Sequence, residues 1–238
     1  MQSSHIKLIF VIILLLTTSC TQVQEEGGKI IRQKIKLQTE DNINIVADLY
    51  PEPTEKGIIL VHMYGGDKNS WQFFTPKLRR AGYNVLAIDL RGHGGSDLTL
   101  SSMREKDYKN MVLDIQAAFD YFIDNGINDI SVMGASLGAN VALNFAVDEP
   151  GIRKVVLLSP GAEYRGIATG IAITNYKGPL LIIVGGLDKY SYDSSVNLYD
   201  KSPSKVKFQP YETSAHGTEI LSEVSASLDL ILNWLETN

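Results

Sequence analysis

Short, almost wholly apolar runs alternate along this chain with longer stretches in which apolar residues recur every three to four positions. The short runs are GIILVH at 57–62, NVLAID at 84–89, DISVM at 129–133, KVVLL at 154–158 and PLLIIV at 179–184. Unbroken apolar runs of this length predict strands buried on both faces. Residues 29–37 and 42–49 predict two earlier strands, turning at Asp41-Asn42 and paired as an antiparallel hairpin on the sheet edge. Residues 206–209 predict a closing strand. Between them lie predicted helices at 69–81, 107–125, 136–147, 191–200 and 220–235. The clearest is 107–125, where Met111, Ile115, Ala118, Phe119 and Phe122 share one face and Gly126 ends the helix. Strands alternating with helices predict a mainly parallel eight-stranded sheet covered by helices on both faces.

Composition narrows the class of protein. The 238 residues are 44% hydrophobic and 21% charged, which suits one folded α/β domain and excludes disorder, collagen-like repeats and coiled coil. Net charge is −5 with no dense Lys/Arg block, so nucleic acid is not an expected partner. One cysteine, Cys20, cannot form an internal disulfide. It follows Lys7, the apolar run LIFVIILLL at 8–16 and Thr17-Thr18-Ser19. Nine residues rise only about 14 Å as a helix, too short for a hydrocarbon core of about 30 Å, so the run fits a secretory signal. The segment resembles a bacterial lipoprotein signal, departing from it at Thr17, where that class carries Leu. The resemblance implies a signal peptide over 1–19, lipid on Cys20, a polar tether over 20–28 and a domain over 29–238. It also implies a membrane-anchored protein of the bacterial cell envelope, on the periplasmic or extracellular side.

The chemistry concentrates in Gly134-Ala135-Ser136-Leu137-Gly138, placed between a predicted strand and a predicted helix. Strand and helix cross closely at such a turn, so the positions two residues either side of the serine must be small. The backbone there is strained, the hydroxyl projects, and the helix N-terminus offers N–H groups to a developing oxyanion. Serine needs a base. Of four histidines, His5 lies in the signal, His62 ends a strand and His93 sits in a glycine-rich turn; His216 lies in a loop between the last strand and last helix. Elimination leaves His216 as the base. Asp188, after the strand at 179–184, is the acid expected to orient it, with Glu163 as the alternative; Asp89 and Asp97 are expected to be structural.

The order Ser136, Asp188, His216, together with HMYGGD, DLRGHGGSD, GASLG, GLD and AHG in sequence, resembles the α/β-hydrolase superfamily from about residue 30 to the end. That resemblance implies an α/β-hydrolase fold with minimal or no lid and a Ser136–His216–Asp188 triad. It implies an oxyanion hole from the Leu137 N–H and from Tyr64, although Met63 stands where the family usually carries Gly. His62 and His93 then shape turns.

No nucleotide-binding or zinc-protease motif and no cysteine pair is present, so neither a cofactor nor a metal is expected. The expected activity is hydrolysis of small-molecule esters with short acyl chains through an acyl-enzyme. Thioesters or peptides with a free N-terminus are the alternative substrates, and a non-catalytic surface binding lipoprotein is the rival class. Residues 159–178 are too few for a helical cap, which predicts a shallow, open site at Ser136.

Overall fold

The structure, a computed structural model, describes residues 31–237. The predicted signal, the tether and Cys20 lie outside the described residues. The strands are β1 (Gln33–Gln38), β2 (Asn44–Tyr50), β3 (Lys56–Val61), β4 (Asn84–Ile88), β5 (Asp129–Ala135), β6 (Ile152–Leu158), β7 (Glu163–Tyr164), β8 (Ile167–Ala168), β9 (Leu180–Gly185) and β10 (Val206–Tyr211). The helices are α1 (Thr75–Arg80), α2 (Glu105–Lys109), α3 (Met111–Asp124), α4 (Leu137–Asp148), α5 (Gly170–Asn175), α6 (Lys189–Lys201), α7 (Glu219–Glu223) and α8 (Ser225–Glu236).

Eight strands form one sheet in the order β1-β2-β4-β3-β5-β6-β9-β10. From β4 to β10 every pairing is parallel, while β1–β2 and β2–β4 are antiparallel, as the edge-hairpin reading anticipates. The apolar runs make sense at this point. In β3, Ile59 and Val61 face the layer that holds Phe122 of α3 and Leu143 of α4. Their neighbours Ile58 and Leu60 face the opposite layer, with Leu78 of α1 and Ile231 of α8. Each such aliphatic side chain contributes about 1.5–3 kcal/mol when removed from water. A strand lined on both sides therefore tolerates no polar alternation.

Three predicted helices prove to be shorter pieces. The stretch predicted at 69–81 divides into a 3-10 turn, Lys68–Trp71, and α1, where Pro76 occupies the first turn that tolerates it. The stretch at 107–125 begins earlier, as α2, and is interrupted at Asn110, whose ψ of 0° lies off the helical path. The stretch at 220–235 is split at Val224, with φ −119° and ψ 89°. Periodicity survives each break because the apolar face continues across it. Between β6 and β9, residues 159–178 carry the hairpin β7–β8 and the six-residue helix α5, none of which was expected.

Candidate active site

Parallel strands put their C-terminal ends on one edge of the sheet, where ligand sites of such folds gather. Ser136 follows β5, Asp188 follows β9, His216 lies beyond β10 and Tyr64 follows β3. Ser136 holds φ 52° and ψ −117°, a region that non-glycine residues rarely adopt. Its N–H donates to Leu158 O at 2.8 Å, which ties the strained turn to the neighbouring strand. A methyl carbon on Gly134 would lie 2.7 Å from Ala139 Cα, and one on Gly138 would lie 2.9 Å from Val61 C. Both glycines are thus required by close backbone crossings, as the motif reading anticipates.

The structure brings Ser136, His216 and Asp188 into one chain of hydrogen bonds. Ser136 Oγ lies 2.7 Å from His216 Nε2, and His216 Nδ1 lies 2.5 Å from Asp188 Oδ2. With Nδ1–H donating to the carboxylate, Nε2 is left to accept the serine proton. The histidine loop is held from several sides. His216 N–H donates to Glu219 Oε2 at 3.1 Å and Gly217 N–H donates to Ser159 Oγ at 3.0 Å. Gly185 lets the loop approach β9, since a methyl carbon there would lie 2.6 Å from Ala215 O. Glu163, the alternative acid, is exposed on β7 and makes no hydrogen bond to His216.

Neither the Leu137 nor the Tyr64 backbone N–H donates to a protein acceptor among the described residues. Both flank the serine turn, on α4 and on the loop after β3. His62 shapes that loop from below. It is fully buried; its Nε2 accepts Leu90 N–H at 3.0 Å, which leaves Nδ1–H to donate to Met63 O at 2.8 Å. Burial pushes His62 down to about 4, so it stays neutral. His93 donates from Nδ1 to Arg91 O at 3.0 Å and packs edge-on against His62 and Tyr64. Burial lowers its pKa as well. The turn that carries His93 is built on Asp89, whose carboxylate accepts from Lys68 N–H, Lys68 Nζ and Gly95 N–H. Asp97 accepts from Asn44 instead. Asp89 and Asp97 therefore hold loops, as expected of them.

The segment 159–178 is small but not empty. Ser136 is only 6% exposed, and the β7–β8 hairpin sets Tyr164 beside His216. The hairpin turns through Arg165 and Gly166 at φ 53° and 82°, the left-handed pair of a tight two-residue turn. Asn140 of α4 pins its base, donating to Ile167 O at 2.8 Å and accepting Gly161 N–H at 3.0 Å. On the other side Tyr190 Oη of α6 donates to Glu163 O at 2.8 Å. Tyr164 of this hairpin stands edge-on to the His216 ring at 6.3 Å between centroids, with its hydroxyl 3.1 Å from Ser191 Oγ. Ser191 Oγ in turn lies 3.4 Å from His216 Nδ1. Arg165 covers the Tyr64 ring at 4.2 Å. Sequence reading missed Tyr164, Ser191 and Asn140: Tyr164 lies on a two-residue strand with no periodicity, and Ser191 and Asn140 are single polar positions on helices that no motif marks. Among the described residues no cluster of three or more His, Cys, Asp or Glu is arranged to hold a metal.

This sheet and this elbow define an α/β-hydrolase, and known proteins agree. The family described as serine aminopeptidase, S33, matches residues 52–173, just over half of the chain, and the chain belongs to that family. The thermostable monoacylglycerol lipase of Bacillus sp. strain H-257 is 24% identical over 183 residues, covering 77% of this chain and 68% of that one. A dihydrolipoyllysine-residue acetyltransferase component of an acetoin cleaving system, from Cupriavidus necator, is 34% identical over 104 residues. That match covers 43% of this chain and 26% of the relative, and other curated relatives match over about a third of their length or less. Among solved structures, an esterase from Pyrococcus furiosus superposes with a TM-score of 0.76 at 20% identity, covering 92% of this chain and 98% of that one. A dienelactone hydrolase from Anabaena variabilis superposes at 0.72 with 20% identity, covering 85% and 95%; these two show the shared fold.

Proposed function

We propose that the protein is a serine esterase acting on small esters with short acyl chains, with Ser136 as nucleophile, His216 as general base and acid, and Asp188 as its orienting carboxylate. The observation that carries the reading is the hydrogen-bond chain from Ser136 through His216 to Asp188 at a strained elbow. Ser136 Oγ attacks the ester carbonyl as its proton passes to His216 Nε2. The resulting oxyanion is held by the N–H groups of Leu137 and Tyr64, which have no acceptor among the described residues. His216 then gives that proton to the leaving alcohol, and later draws one from the water that releases the acid. Asp188 accepts from His216 Nδ1–H and stabilises the imidazolium.

Short acyl chains follow from the small size of the segment between β6 and β9. Residues 159–178 supply a small hairpin and one six-residue helix, too little to wall an apolar tunnel. Each methylene left in water forgoes about 0.8 kcal/mol of binding, so lengthening the chain adds little to transition-state stabilisation. The envelope location and lipid on Cys20 are part of the same proposal, supported by the signal-like sequence before that cysteine.

A fluorophosphonate probe on the purified protein tests the class. Labelling at Ser136, abolished in Ser136→Ala, supports an enzyme; folded protein that resists labelling favours the binding-protein rival. A series of nitrophenyl esters then tests acyl preference: kcat/KM should peak between acetyl and butyryl, and a maximum at twelve carbons or more would overturn the short-chain reading. Cys20→Ser should leave the protein unprocessed or released from membranes. Fractionation and migration like the unaltered protein would refute the lipid.

A further inference from the structure

The β7–β8 hairpin does more than fill the segment between β6 and β9. It is fastened to the nucleophile helix α4 through Asn140 and to the acid-bearing helix α6 through Tyr190. Ala162 N–H adds a bond to Ser194 Oγ at 2.9 Å. A two-residue hairpin held from both sides positions its side chains as firmly as a longer element would. The side chain so positioned is Tyr164, half-buried, edge-on to His216 and hydrogen-bonded to Ser191. Its hydroxyl thus lies on the His216 side of the site, and burial raises the phenol's pKa. With its pKa raised, Tyr164 keeps its proton near neutral pH and remains a donor.

The reacting groups divide the space above Ser136. The carbonyl oxygen lies toward the N–H groups of Leu137 and Tyr64, and the leaving oxygen must lie toward His216 Nε2, which protonates it. Tyr164 stands on the His216 side, while Tyr64 and its Arg165 cover stand on the oxyanion side. We infer that Tyr164 is a further catalytic residue, whose hydroxyl turns from Ser191 to donate a hydrogen bond to the leaving-group oxygen. In the collapse of the tetrahedral intermediate the carbon–oxygen bond to the alcohol breaks. Its electron pair stays on the alcohol oxygen, the proton comes from His216 Nε2, and Tyr164 keeps its own proton throughout. Ser191 receives the phenol when the site is empty, which explains a buried hydroxyl beside His216 Nδ1 that the triad itself does not require.

This inference rests on the esterase reading, and the test separates the two. A donor to the leaving oxygen matters most when much negative charge develops there, hence for alkoxides and little for nitrophenolate. Tyr164→Phe keeps the ring and removes only the donor. The measurement is kcat/KM of wild type and Tyr164→Phe on acetate esters running from 4-nitrophenyl through phenyl to ethyl. The variant should lose about tenfold more on ethyl acetate than on 4-nitrophenyl acetate, the size expected for one hydrogen bond to a charge-bearing atom. Its rate should fall more steeply with leaving-group pKa. Equal losses across the series mean a structural role for Tyr164 and overturn the inference, as does no loss on any ester. If unaltered protein hydrolyses none of them, the esterase reading falls and this inference falls with it.

Discussion

His216 Nδ1 lies 2.5 Å from Asp188 Oδ2, at the start of α6, while Glu163 is exposed on β7 and makes no hydrogen bond to His216. Of the two candidates that sequence offered, this contact supports Asp188 as the proposed acid partner. A carboxylate in this position sets the imidazole tautomer, and an amide can present the wrong hydrogen-bonding group to Nδ1. Asp188→Asn should lower kcat by roughly 10⁴ with little change in stability. Glu163→Gln should leave kcat close to that of the unaltered protein. A larger loss in the glutamine variant, measured on the same ester, would reverse the assignment.

The sheet was legible in advance because burial on both faces leaves a mark in sequence: KVVLL and PLLIIV are β6 and β9 to within two residues. The positions proposed for the triad were legible because each follows a strand with a glycine within two residues, and glycine reports close backbone approach. The breaks at Asn110 and Val224 were not, since the apolar stripe runs on through them. Nor was the hairpin beside His216. It is held by side chains from α4 and α6, Asn140 and Tyr190 among them, which are distant in sequence and carry no local pattern. The glycine-rich 159–178 segment suggested an empty roof; its left-handed Arg165-Gly166 pair is instead what folds the chain back into that hairpin.

Gly134 and Gly138 face backbone, which cannot move aside as a flexible side chain could. An added methyl at Gly134 would press on Ala139 Cα, and one at Gly138 on the end of β3. Gly134→Ala and Gly138→Ala should each destabilise by on the order of 3 kcal/mol or more and abolish labelling of Ser136. Urea unfolding measures the first effect. A variant that keeps its midpoint would mean the elbow can open without cost.

Arg91 is 1% exposed and joins two acids, with Nε 2.8 Å from Asp114 Oδ1 and Nη1 2.6 Å from Asp41 Oδ2. Asp114 is buried, and burial holds it up to about 6 even with Arg91 alongside. Removing the cation alone strands that carboxylate, so Arg91→Met should cost about 3–5 kcal/mol at pH 7. Asp114 also accepts Arg91 N–H at 2.8 Å, a bond that an amide oxygen can keep. Arg91→Met with Asp114→Asn should therefore recover part of the loss. A double variant less stable than the single one would show that the charge was not the source of the cost.

His62 offers a pH signature for the floor of the oxyanion loop. Its folded pKa lies near 4, below the 6.5 of a free histidine, because burial penalises the cation. Between those values the unfolded chain binds the proton and the folded protein does not. The contribution of neutral His62 to stability is thus fully present above about pH 6.5, and it is lost as pH falls toward 4. The size of the shift corresponds to on the order of 3 kcal/mol. Asp114 titrates in the same window with the opposite slope, its folded pKa being raised, so wild type alone would mix the two. His62→Gln removes one and leaves the other. The difference in unfolding free energy between wild type and His62→Gln, measured by urea at intervals from pH 4 to 7, should therefore grow with pH and level off above 6.5. A difference that stays flat would mean that His62 is not held neutral in the folded protein.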